Sequence, residues 1–163
     1  MIHEAIRELL LLQEEEMLLD ASSCATVREE NTLLHALMLL STVGHAEIPV
    51  LDQEQKLKGL ISMPLILDGV KQELNYDWGK LSQLKVKDVM DKDVGIVSSH
   101  LDLEDVLHQL VNHNFVSVVD ITGVFKGIIT RKELLTRLNF MAHDIHNHYD
   151  LIPLQEKVLK HSV

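Results

Sequence analysis

Four consecutive residues, Thr130-Arg131-Lys132-Glu133, place charge where a helix start does not favour it. They follow the apolar run Gly127-Ile128-Ile129 and precede Leu134 and Leu135, which reads as a buried strand entering a helix. Thr130 is placed as N-cap and Glu133 stands three residues on, the spacing of a capping box. The first turn of a helix offers unpaired N–H groups and a partial positive charge, so acids are favoured there and two cations are not. An anion such as a phosphate resolves that conflict; two solvated charges on an exposed turn are the plainer account.

The rest of the chain narrows what such a seat would take. With 163 residues and 46% hydrophobic content it can bury a core, as one domain or two small ones. A net charge of −10 excludes nonspecific binding to nucleic acid or to an anionic membrane surface, so a phosphate ligand needs a local pocket. A single cysteine, Cys24, excludes an internal disulfide framework, and no apolar run approaches the ~20 residues that span a bilayer. The cytoplasm is the expected compartment.

Periodicity then places the elements that would position the seat. Apolar residues at helical spacing predict an amphipathic N-terminal helix over residues 2–19, whose leucines would dock on the body or on a second subunit. Residues 21–27 read as a short extended segment, and a helix starting near Asn31 or Thr32 ends at Gly44. Strands follow at 47–51 and 57–61, with Pro49 marking a backbone edge that is not fully paired, and a helix opens at Ser62-Met63-Pro64. Residues 72–83 form a connector. The pattern then repeats: a helical lead-in at 86–90, a strand at 95–97, a helix bearing Leu103, Val106, Leu107 and Leu110, strands at 115–119 and 124–129, and the helix opened by Thr130.

The halves are matched by setting Leu37 and Leu40 against Leu107 and Leu110, Ile48 and Pro49 against Val118 and Val119, and Gly59-Leu60-Ile61-Ser62 against Gly127-Ile128-Ile129-Thr130. Units of about sixty residues are marginal alone, so two should pack around a pseudo-two-fold axis with a ligand cleft between them. The organisation expected is an N-terminal helix (1–20), a first repeat (21–72), a linker (73–83), a second repeat (84–140) and a polar tail (141–163).

Val86-Lys87-Asp88-Val89-Met90, Ile48-Pro49-Val50-Leu51-Asp52 and Gly127-Ile128-Ile129-Thr130-Arg131-Lys132-Glu133 together resemble the paired cystathionine-β-synthase-type domains, the CBS pair or Bateman module, over most of the chain. The resemblance implies an α+β fold of tandem β-α-β-β-α repeats, and a sensor or regulator of adenosine-containing ligands rather than an enzyme. Length, Gly44-His45-Ala46-Glu47-Ile48-Pro49-Val50-Leu51-Asp52 and the cation pair resemble the small stand-alone cyclic-di-AMP receptors of the DarB/CbpB type. By that resemblance the nucleotide contacts Ser23 and Ala25, His45, Ala46 and Glu47, and Thr130, Arg131 and Lys132, while Glu133 contacts ribose or only completes its capping box. Ser23 stands where those receptors carry a lysine and Lys132 where they carry a second arginine, so AMP, ADP or ATP stays open as the ligand. The resemblance further implies a homodimer without a cofactor, and a regulated protein partner, an enzyme of the stringent response or of central metabolism.

The two repeats differ at the seat. The first has Ser62-Met63-Pro64-Leu65 where the second has Thr130-Arg131-Lys132-Glu133, which predicts one phosphate-competent site per chain. A structural protein with a vestigial cleft is the other class of reading, and the two cations argue against it. The cluster His143-Asp144-Ile145-His146-Asn147-His148 has the residue types of metal ligands but matches no closed motif, and reads as polar tail. His35, His108 and His113 read as surface or interface residues. No glycine-rich phosphate loop, nucleophile elbow or metal motif supports an enzyme.

Overall fold

Hydroxyl side chains set the helix starts. Thr32, Ser62 and Thr130 each accept the backbone N–H three residues on, from His35 at 3.3 Å, Leu65 at 3.5 Å and Glu133 at 3.1 Å. The structure is a computed structural model that describes residues 2–11, 17–100 and 102–150. In chain order its elements are α1 (Glu4–Leu11), β1 (Leu19–Asp20), β2 (Val27–Arg28), α2 (Leu33–Val43), β3 (Glu47–Leu51), β4 (Leu57–Ser62), α3 (Met63–Val70), α4 (Lys80–Gln83), β5 (Ile96–Ser98), α5 (Leu103–Asn112), β6 (Phe115–Val119), β7 (Phe125–Thr130) and α6 (Arg131–His148).

The result is the expected α+β architecture of two β-α-β-β-α repeats. One sheet runs β2-β3-β4 and the other β1-β7-β6-β5. Within each repeat the first pairing is parallel and the second antiparallel. Alternate strand residues face the helices: Ile48, Val50 and Ile61 bury against Leu33, Ala36, Leu40, Ile66 and Val70, and Val116, Val118 and Ile129 against Val106, Leu110 and Leu134. Each of these Val, Leu and Ile side chains contributes roughly 1.5–3 kcal/mol by leaving water, and Ala36 less.

The register corrects the match between the halves. Glu47 pairs with Ser62 and Phe115 with Thr130, and a bulge falls between Val50 and Leu51 in one repeat and between Val118 and Val119 in the other. Ile48 and Pro49 therefore correspond to Val116 and Ser117, not to Val118 and Val119. Matching by apolar type slipped by two because strand faces repeat every second residue.

The repeats exchange their lead-in segments. β1, at the start of the first repeat, pairs with β7 of the second (Leu19 with Ile128, Asp20 with Gly127), and Asp91, in the lead-in of the second repeat, bonds both backbone groups of Leu60 in the first at 2.8 and 2.9 Å. Because Leu60 turns its N–H and C=O toward Asp91, its cross-strand partner Pro49 turns its nitrogen the other way, past the end of β2, which reaches only Val50 and Leu51. β3 is thus a central strand at Val50 and Leu51, with an edge unpaired by β2 over residues 47–49.

Three further expectations need correction, in the first helix, the connector and the tail, and the open alternative for the leucines is decided in favour of the body. The N-terminal helix is described only over α1, and Leu19 and Asp20 are strand rather than helix because β7 gives them a partner that local periodicity cannot reveal. Leu9 and Leu10 are buried within the chain itself, with Arg137 of α6 donating to the Leu10 carbonyl at 3.0 Å and Tyr149 to Glu8 at 2.9 Å, so they are not spare surface for a second subunit. The connector contains α4, and α6 continues through His148, taking in residues 141–148 expected as tail; Asp144 pairs with His148 at 2.7 Å and Asn147 at 2.6 Å along that helix. The rest of the expected tail, residues 151–163, lies outside the described residues.

A charged clip fastens the second repeat's lead-in to the first. Glu30 accepts from Lys85 and, at 2.6 Å, from Lys87, beside backbone bonds from Val86 to Asn31 and from Lys87 to Glu29. The two ammonium groups, Lys85 first, hold the Glu30 carboxyl down at about 2, below the ordinary 4.5. A depressed folded-state value stabilises above the unfolded one and is lost on acidification, so the clip should weaken as pH falls from about 4.5 to about 2. Glu30→Gln is expected to lower the melting temperature near neutral pH and to have little effect near about pH 2. Equal shifts at both pH values would show that the charge on Glu30 contributes nothing to the clip.

Candidate functional site

Where β2 stops short of Pro49, the backbone opens into a cavity of about 270 Å³ between the repeats. The turn at Ala21–Ser23 and the segment after it form one wall with Ser23, Cys24 and Ala25; the start of β3 forms another with His45, Ala46, Glu47, Ile48 and Pro49. Leu19, Phe115, Ile128 and Thr130 from the second sheet, with Asn114 just before β6, close it. The lining is mainly apolar with a few polar groups at the rim, the environment that accepts a flat heteroaromatic ring.

Next to it lies a more open cavity of about 560 Å³ at the start of α6, lined by Asn114, Arg131, Lys132, Leu135, Thr136 and Asn139. Asn114 lines both. The two spaces adjoin at the Asn114–Thr130–Arg131 corner, where the Arg131 N–H donates to the Asn114 carbonyl at 2.8 Å.

The structure sorts the expected site residues into three groups. Ser23, Ala25, His45, Ala46, Glu47 and Thr130 line the first cavity; Arg131 and Lys132 line the second; Glu133 lines neither. The Glu133 carboxylate accepts from Arg137 Nε at 2.7 Å, so Thr130 caps the Glu133 N–H while the reciprocal half of the capping box is replaced by an i,i+4 ion pair with a buried arginine. Arg131 turns back along α5, donating from Nε to the Leu110 carbonyl at 2.9 Å and from Nη2 to the Val111 carbonyl at 3.3 Å. The cation that conflicts with the start of α6 thereby suits the end of α5, where orphan carbonyls and the negative end of the dipole attract it. A guanidinium has five N–H donors, so Nη1 remains for an anion in the cavity beside it.

Leu19, Cys24, Ile48, Pro49, Asn114, Phe115 and Ile128 also line the first cavity and were not among the expected site residues. Counting register from the matched bulges makes Asn114 the counterpart of Ala46, a signal that the hydrogen-bonded structure supplies and apolar patterning does not. Cys24 turns its thiol toward the Leu19 and Asp20 carbonyls, at 3.4 and 3.3 Å, and burial pushes its pKa up, so it stays a neutral wall. Among the described residues no three His, Cys, Asp or Glu side chains gather to hold a metal ion, and no helix is long and apolar enough to cross a membrane.

Comparison with known proteins agrees with this geometry. The family model described as "CBS domain" matches residues 18–70 and 86–139, one match for each repeat. Cyclic di-AMP receptor B of Bacillus subtilis (strain 168) is 32% identical over 124 residues, 76% of this chain and 84% of that protein. The crystal structure of the Listeria monocytogenes CbpB protein in complex with c-di-AMP is 40% identical, with a TM-score of 0.73 over 77% of this chain and 94% of that one. CbpB from Streptococcus agalactiae aligns over 94% of this chain and 96% of its own with a TM-score of 0.83 and 25% identity. Two matched repeats, their exchanged lead-in strands and the cleft between them together place the chain in the CBS domain family, to which it belongs.

Proposed function

We propose that this chain is a non-catalytic cytoplasmic sensor of cyclic di-AMP, whose occupancy controls binding to a regulated protein partner. The observation behind this reading is the pair of adjoining cavities, one apolar and one with cations, meeting at the start of α6. One adenine enters between Ala25, Ala46 and Pro49, and the phosphates lie toward Arg131 and Lys132. The names of the Bacillus and Listeria relatives support the choice of ligand. The corresponding turn of the first repeat, Ser62-Met63-Pro64-Leu65, has no cation, which supports one such site per chain.

A mononucleotide, AMP, ADP or ATP, is the second reading, favoured by one specific feature: Ser23 puts a neutral group on the wall where a further cation would help hold a second phosphate. Calorimetry with cyclic di-AMP, AMP, ADP, ATP and a cyclic di-GMP control tests both. Cyclic di-AMP is expected to bind most tightly, with no heat from cyclic di-GMP. A tighter mononucleotide would replace the first reading by the second, and silence from every adenine nucleotide would reject both.

A homodimer is part of the proposal, supported by exposed apolar side chains on the long helices: Met38 of α2, Val111 of α5 and Leu135 of α6. Sedimentation of the free protein should give twice the chain mass; a monomer would reject the dimer.

A further inference from the structure

We propose that Asn114 is the residue that reads the sugar–phosphate linkage of the ligand, an inference that rests on the nucleotide reading above. Asn114 is the side chain shared by the two cavities. A nucleotide with its base in the apolar space and its phosphate beside Arg131 and Lys132 must run its ribose across that residue.

The backbone there is fixed. Asn114 stands immediately before β6, and its carbonyl accepts the Arg131 N–H at 2.8 Å. Its carboxamide is uncommitted: Asn31, Asn75 and Asn147 each use their amides on neighbouring groups, whereas the Asn114 side chain has no hydrogen-bond partner among the described residues and is exposed at the ridge. A carboxamide both accepts and donates, so Oδ1 can take the proton of a ribose 2′-hydroxyl while Nδ2 donates to a phosphodiester oxygen.

The pseudo-two-fold sharpens the assignment. The corrected register puts Ala46 at the matching position of the first repeat, and Ala46 lines the same cavity from the opposite wall. The methyl borders the base and the carboxamide borders the linkage. Asn114 is thus a specificity residue for a ribonucleotide that extends from one cavity into the other, and the cations supply charge without reading the sugar.

The test is calorimetry on the full chain, with cyclic di-AMP and its 2′-deoxy counterpart, for the unaltered protein, Asn114→Ala and Asn114→Asp. The unaltered protein should lose about 10-fold in affinity when the 2′-hydroxyl is removed. Asn114→Ala should lose about 10-fold for cyclic di-AMP and little more for the deoxy ligand. Asn114→Asp keeps the acceptor but sets a carboxylate against phosphate, so its loss should be larger at low salt and shrink as salt rises. Melting temperatures close to that of the unaltered protein would confirm that the variants fold. Unchanged affinity in Asn114→Ala, or the same deoxy penalty in that variant as in the unaltered protein, overturns the inference while leaving the nucleotide reading intact; no heat from cyclic di-AMP with the unaltered protein overturns both.

Discussion

Gly127→Ala is expected to cost about 3–5 kcal/mol of stability, far more than one added methyl in a strand. A Cβ at that position would lie 2.1 Å from the Leu19 carbonyl oxygen, and the backbone there has φ +147°, which L side chains rarely adopt. The neighbour that would have to move is the β1 backbone, not a flexible side chain. β1 would be lifted from β7, and with it the wall bearing Leu19, Ser23, Cys24 and Ala25, so nucleotide affinity should fall with stability. Chemical denaturation gives the first quantity and calorimetry the second. Gly123→Ala is the control: its φ is also positive, +85°, but no atom lies within 4 Å of the added carbon, so it should cost only about 1 kcal/mol of backbone strain. If the two variants lose stability equally, close approach of β1 is not what requires Gly127. Gly59, where a Cβ would lie 2.3 Å from the Asp91 carbonyl oxygen, should respond as Gly127 does.

Arg131→Ala is expected to weaken cyclic di-AMP binding by about 10- to 100-fold, since a hydrogen bond to a charged group is worth about 1.5–3 kcal/mol. The same change removes the donors to the Leu110 and Val111 carbonyls, so hydrogen exchange should quicken at the end of α5 whether or not ligand is present. Arg131→Lys should restore part of the affinity, since an ammonium retains charge but not the planar fork. Lys132→Ala should cost less, because that exposed lysine offers a single point charge. If Arg131→Ala binds as tightly as the unaltered protein while its α5 exchanges faster, Arg131 is only a helix cap, and the phosphate seat lies elsewhere.

The features legible in the sequence were those set by short-range chemistry. Thr32, Ser62 and Thr130 announced helix starts, the apolar alternation gave the strands, and a repeated glycine-to-hydroxyl stretch exposed the duplication. Six of the nine expected site residues line the first cavity and two the second. The misses share a different cause. β1 is a strand only because β7 lies beside it, more than a hundred residues away in sequence, and Arg131 finds its partners on the preceding helix, 20 and 21 residues back. Glu133 is occupied by Arg137, a residue the capping-box spacing does not include. The pairing of Pro49 with Val119 failed because a strand displaced by two residues presents the same face, and only hydrogen-bond register distinguishes the alternatives.

The exchange of lead-in segments also governs what happens when the chain is cut. A fragment holding only the second repeat would present β7 with Gly127 and Ile128 unpaired, and a fragment holding only the first would present Leu60 in the same condition. Open sheet edges recruit other strands, so either piece alone tends toward aggregation. Nicked within residues 72–79, between the repeats, the two pieces each still contribute an edge segment to the other and should remain joined until denaturant separates them. What was duplicated in this sequence is therefore a module of inheritance, while the module that folds is the pair.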